Sequence, residues 1–214
     1  MIQKNQNILA IEASTQNWSI SIFENSEEKG FRIGDRAVPL SESLLPNIKE
    51  VLIETGKEIT DLDLLAVSTG PGSFTGLRVG IAVCQGIAFS EKIDCIGISY
   101  LEILANAVNL EGDLRVFVSL QPDKLYFQDY SKFGENIVAK STIELQEFEC
   151  FFNRSDELKY VSDFNTFEKI NLKNQKANLF EINLIENIYL AGILAKIVRK
   201  KGFDTNARPL PIYF

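Results

Sequence analysis

The segment VSTGPGSFTGLRVGIAVCQGIAF, residues 67–89, sets Gly70, Gly72, Gly76 and Gly80 between a strand-like run and an apolar stretch. Glycine-rich turns in that position hold phosphate elsewhere, because the first amides of the following helix point at the anion. The spacing argues against that use here. A P-loop, GxxxxGK[ST], needs a lysine after its last glycine and none follows, while GPGSFTG spaces its glycines GxGxxxG rather than GxGxxG. A second constellation, Glu12, Ser14 and Thr15, ends the first strand-like run. Its carboxylate could hold Mg²⁺-bound phosphate or make a strand-end hydrogen bond. The chain has no histidine, which removes Ser–His and Cys–His catalysis and every His-ligated zinc. Cys84, Cys95 and Cys150 are odd in number and form no CxxC, so neither a zinc site nor a disulfide framework is expected. Each reads as a small hydrophobe, and no metal site is predicted.

Projected on a helix, residues 73–89 give one face of Phe74, Leu77, Ile81, Cys84 and Ala88. A second face carries Gly76, Gly80, Val83 and Ile87, and Arg78 and Gln85 are the main polar positions. A helix apolar nearly all round is buried on more than one side. Glycine inside a helix costs about 0.8–1.0 kcal/mol against alanine, so glycines one turn apart point to a close packing partner. They read as a packing surface rather than a phosphate cradle. The partner is either the protein's own core or another subunit, and the lone charge of Arg78 either pairs with a partner's carboxylate or lies at the rim.

The elements that position these residues follow from periodicity. NILAIEAST (7–15) and WSISIFEN (18–25) predict a hairpin. SESLLPNIKEVLIETG (41–56) predicts a helix with Leu44, Leu45, Ile48, Val51 and Leu52 on one face, beginning near Ser43 so that Pro46 falls in its first turn. Strands are expected at 62–69 and 94–100, with a helix at 101–109. Composition then shifts: strands are expected at 114–120, 124–130, 136–140 and 158–164, a loop at 171–178, and a helix over 183–202 ended by Gly202. The reading is one α/β lobe over 1–110 and a smaller one over 111–214, whose last helix packs back toward the first.

With a net charge of −7 and a pI near 4.8, the chain alone is not expected to bind nucleic acid. No apolar run is long enough for a membrane span, and the first residues lack the pattern of a secretory signal, so cytoplasm is expected.

ILAIEAST, SESLLPNIKEVL, DLDLLAVSTGPGSFTGLRVGIAVCQGIA and the closing PIYF resemble, in order and spacing, the bacterial TsaB (YeaZ) family. GPGSFTGLRVG is the specific part. The resemblance implies an actin/Hsp70-like (ASKHA) fold: α/β, two related lobes, each with a mixed sheet and flanking helices. It implies a non-catalytic paralogue of TsaD, the enzyme that places threonylcarbamoyl on adenosine 37 of tRNA. The implied partners are a second copy, a TsaD-type protein, a TsaE-type ATPase, and tRNA only through the complex, with no membrane. It implies no cofactor, ATP and Mg²⁺ entering only in the assembled complex. The helices matching 43–55 and 73–89 build the interface in that family, which implies contact residues Leu44, Leu45, Ile48, Leu52, Phe74, Gly76, Leu77, Arg78, Gly80, Ile81, Val83 and Ile87. Glu12, Ser14 and Thr15 fall on a vestigial phosphate site, with Glu12-Ala13 where the family has Asp-Thr. The alternative is a small ASKHA-type kinase acting on an acid or sugar. A metallopeptidase reading fails for want of histidine.

Overall fold

A computed structural model describes residues 6–15, 17–34, 38–121, 123–151, 158–171, 182–186, 189–201 and 209–212. The chain divides into two compact units, one of Met1–Tyr100 with Ile188–Tyr213, the other of Leu101–Asn187.

The first unit is built on β1 (Asn7–Glu12), β2 (Ser19–Glu24), β3 (Glu27–Ile33), β4 (Leu64–Ser68) and β5 (Asp94–Ile98), in the order β3-β2-β1-β4-β5. The hairpin strands pair antiparallel, and β1, β4 and β5 run parallel. Side chains alternate across a strand, so β1 splits its buried residues between two faces. Leu9 and Ile11, with Trp18, Ile20, Ile22, Leu65 and Val67, face α1 (Leu40–Glu54) and α2 (Phe74–Glu91), which add Leu44, Ile48, Val51, Leu52, Ile81, Cys84 and Ile87 to one core. Each fully buried aliphatic side chain contributes about 1.5–3 kcal/mol. The opposite face carries the small residues Ala10, Ser19, Ser21 and Ala66 in the middle, with Ile8, Phe23 and Leu64 at one end. It is covered by α6 (Ala191–Lys201), which packs on β1 and β2. The Ser19 hydroxyl accepts from the amides of Leu190 and Ala191 at 3.3 and 3.0 Å, supplying the partners that the helix start lacks.

The second unit repeats the scheme. Its sheet contains β6 (Gly112–Gln121), β7 (Lys124–Phe133), β8 (Asn136–Ala139), β10 (Lys159–Asp163) and β11 (Ile182–Ile185), ordered β11-β10-β6-β7-β8. Here too the first three strands pair antiparallel, and the first, fourth and fifth run parallel. Numbered within each unit, both sheets read 3-2-1-4-5. That duplication is what two related lobes require. The short β9 (Glu144–Glu147) pairs with β7, and α4 (Phe148–Phe151) and α5 (Phe164–Asn171) bring Phe151 and Ile170 over Phe117, Leu125, Phe127 and Tyr160. On that face Arg115, 3% exposed, is gripped by Asp129 through Nε and Nη2 at 2.7 and 2.6 Å. Lys132 caps α3 (Tyr100–Ala107) by donating to its terminal carbonyls, at 3.0 Å to Ala105.

Two expectations are corrected. Helix α1 starts at Leu40, so Pro46 lies inside it. The imide has no N–H to offer, and the Asn47 side chain donates to the Ser43 carbonyl at 2.8 Å on the same turn. Residues 182–185 form a parallel strand instead of the start of a helix, because pairing with β10 overrides local propensity. Of the loop expected at 171–178, Asn171 ends α5, and the rest, like the proposed stop at Gly202, lies outside the described residues.

Candidate interaction surface

Helix α2 is capped at its start by Ser73, whose hydroxyl accepts from the Gly76 amide at 3.2 Å. The Ser73 amide donates to the Ser14 carbonyl at 2.6 Å, so the helix start is bound to the corner that follows β1. The glycines make this approach possible. A Cβ on Gly72 would lie 2.3 Å from the Ser14 oxygen, one on Gly76 2.3 Å from the Ala13 oxygen, and one on Gly80 3.2 Å from the Ala13 Cβ. The stripe is therefore spent within the first unit, Gly72 and Gly76 on backbone and Gly80 on the Ala13, Val67 and Ile11 side chains.

That corner holds the three phosphate candidates. Glu12 is buried, and its Oε1 accepts from the Ser14 amide at 2.6 Å; the Ala13 amide donates to Ser68 Oγ at 3.0 Å. Thr15 Oγ1 donates to the Asn17 carbonyl at 2.7 Å, and Ser14 Oγ is buried with no hydrogen-bond partner. Two amides that a phosphate cradle would turn outward are thus tied to side chains of the same corner. Among the described residues no cluster of three acidic or cysteine side chains could hold a metal.

The twelve interface candidates separate sharply. Leu44, Ile48, Leu52, Gly76, Leu77, Gly80, Ile81 and Ile87 are buried inside the first unit, and Val83 is half-buried. The apolar stripe and the glycine stripe face inward, so in this unit these eight serve the core. Leu45 is 54% and Phe74 55% exposed, and Arg78 is exposed with its guanidinium 3.7 Å from the Phe74 ring centroid. Four residues missed in the sequence complete the outer surface: Ile53, Ala82, Gly86 and Phe89, the last 87% exposed. The signal was available. Phe74, Arg78, Ala82 and Gly86 recur every fourth residue, and Ser90 continues the row. A Cβ on Gly86 would meet nothing within 4 Å. The absence of a side chain there serves nothing within the described chain.

Residues 37–204 match the family model described as tRNA N6-adenosine threonylcarbamoyltransferase, TsaD. Among curated proteins, the tRNA threonylcarbamoyladenosine biosynthesis protein TsaB of Escherichia coli K12 is 31% identical over 58% of this chain. That match spans 55% of the E. coli protein, and the match to TsaB of Haemophilus influenzae, also 31% identical over 77% of this chain, spans 60% of it. TsaB of Buchnera aphidicola from Acyrthosiphon pisum is 28% identical across 92% of this chain and 93% of its own length. Among solved structures, YeaZ from Pseudomonas aeruginosa superposes with a TM-score of 0.73 at 19% identity, covering 98% of this chain and all of that one. The fold and the sequence thus agree: the chain belongs to the TsaD-type protein family, as a member of its TsaB (YeaZ) branch.

Proposed function

We propose that this chain is a non-catalytic docking subunit in tRNA threonylcarbamoyladenosine synthesis. It pairs with a second copy through the outer faces of α1 and α2 and exchanges that copy for a TsaD-type enzyme. A TsaE-type ATPase joins the complex, tRNA is met only through it, and ATP and Mg²⁺ belong to the assembled form in the cytoplasm. The names of the curated relatives support the pathway. The observation that carries the docking role is the exposed row Phe74, Arg78, Ala82, Gly86 on α2, beside Leu45 and Ile53 on α1. A helical glycine with open space around it costs about 0.8–1.0 kcal/mol against alanine, a cost offset when a partner's backbone closes on it. The acidic net charge suits a subunit that leaves the nucleic acid to others.

The test is light scattering on a sizing column, with the chain alone and mixed with the TsaD-type protein of the same organism. Gly86→Leu leaves the fold intact, because space is open there, and is expected to abolish both the self-association and the one-to-one complex. A chain that stays monomeric and ignores the enzyme, or complexes untouched by both Gly86→Leu and Phe74→Asp, would overturn the reading. Gly76 is unsuitable for this test, since any side chain there strikes the Ala13 carbonyl.

A further inference from the structure

Behind the outer face of α2, Cys84 is fully buried in the core of the first unit, and Cys95 on the edge strand β5 packs against that core half-buried. Helix α2 packs on β5, both cysteines belong to the one core, and Cys95 is the neighbour that acts on the Cys84 thiol. A groove of about 1110 Å³, walled by Gln85, Phe89 and Leu210, has Cys95 in its lining, whereas Cys84 is not among the lining residues. One member of the pair therefore borders a groove open to a small solute, and the other lies in the core that Cys95 packs against. We propose that Cys84 and Cys95 form a reversible disulfide, driven by a hydroperoxide entering this groove, that ties α2 to β5.

The geometry sets the order of steps. The Cys95 sulfur attacks the hydroperoxide, breaking its O–O bond; the peroxide leaves as an alcohol, or as water when it is hydrogen peroxide, and Cys95 becomes a sulfenic acid. The Cys84 sulfur then attacks the sulfenic sulfur, and the departing hydroxide takes the Cys84 proton away as water. Two thiols lose two electrons and two protons, and the peroxide receives them. The neighbouring Cys95 thiol and complete burial push the Cys84 thiol well above its ordinary range. Its thiolate is scarce, so Cys84 is the resolving thiol and the second step is the slow one.

The test treats full-length Cys150→Ser, which removes the exposed third cysteine, with hydrogen peroxide and then digests it with trypsin without reductant. Cleavage after Arg78, Lys92 and Arg115 puts the two cysteines in separate peptides, 79–92 and 93–115. The expected result is a mass loss of about 2 Da in the intact chain and a 79–92/93–115 cross-link that dithiothreitol dissolves. A dimedone-trapped sulfenic acid should appear first, on Cys95 alone. Neither readout needs a substitution in the core. Oxygen accumulating on Cys95 as sulfinic acid with no linked peptide, or first capture on Cys84, would overturn the proposal.

Discussion

The two units share a strand order but not the material between the strands. In the first, the connections into the parallel strands are α1 and α2, of 15 and 18 residues. In the second, the matching connections carry β9, the four-residue α4 and the eight-residue α5. Long helices give the first unit a core on one face and an outer surface to spare. The second unit covers its sheet with short pieces and fills the space with a buried ion pair and packed rings, Phe117, Phe127, Phe151 and Tyr160. One architecture can thus be held together by different forces, and among the described residues the long crossovers of the first unit carry the exposed helix face with Phe74, Ala82 and Phe89.

The contrast can be tested by cutting each kind of support. The largest loss is expected in the second unit. Asp129→Ala leaves the Arg115 guanidinium buried and short of its bidentate partner, which should lower stability by about 3–5 kcal/mol in urea unfolding. A loss under about 1 kcal/mol would show that the pair behaves like an exposed one. In the first unit the sensitive points are backbone contacts. Gly76→Ala forces a methyl group toward the Ala13 carbonyl and should cost about 1–3 kcal/mol in the same assay. Ser19→Ala removes the acceptor for two amides at the start of α6 and should cost about 1 kcal/mol, with faster hydrogen exchange at Leu190 and Ala191. The smallest effect has the opposite sign. Gly86→Ala, in open space on the same helix as Gly76, should raise stability by about 0.8–1.0 kcal/mol. If both glycine variants destabilise equally, the division of α2 into an inner and an outer glycine row is wrong.

Most strands of the first unit were legible, because β1, β4 and β5 combine apolar runs with clear turn signals. The glycine row at 72, 76 and 80 announced a close neighbour, backbone at 72 and 76 and side chains at 80, but sequence alone could not say which. It proved to be the corner after β1, thirteen residues into the chain, a contact no local pattern encodes. The outer surface was harder to see because α2 is apolar on nearly every side: Phe74 was grouped with Leu77 and Ile81 although it points away from them. In the second unit, β11 was hidden because INLIENIY satisfies a helical period as well as a strand one. Only its neighbour β10 decides between them. Helix α5 escaped notice for want of a strong start signal; its cap, Asp163, which accepts from the Thr166 amide at 2.6 Å, is the last residue of the preceding strand.

The late return of α6 has a consequence for synthesis. Ribosomes release the chain from its first residue, so β1 to β5, α1 and α2 emerge with one side of their sheet already packed and the other bare. The helix that shields Ala10, Ser19, Ser21 and Ala66 follows about 100 residues later, a delay of about 5–20 s at about 5–20 residues per second. For that interval the nascent first unit is a half-clothed sheet, held open while the whole second unit is made. Its waiting side mixes Ala10, Ser19, Ser21 and Ala66 with Ile8, Phe23 and Leu64, so an apolar patch stays open until α6 arrives.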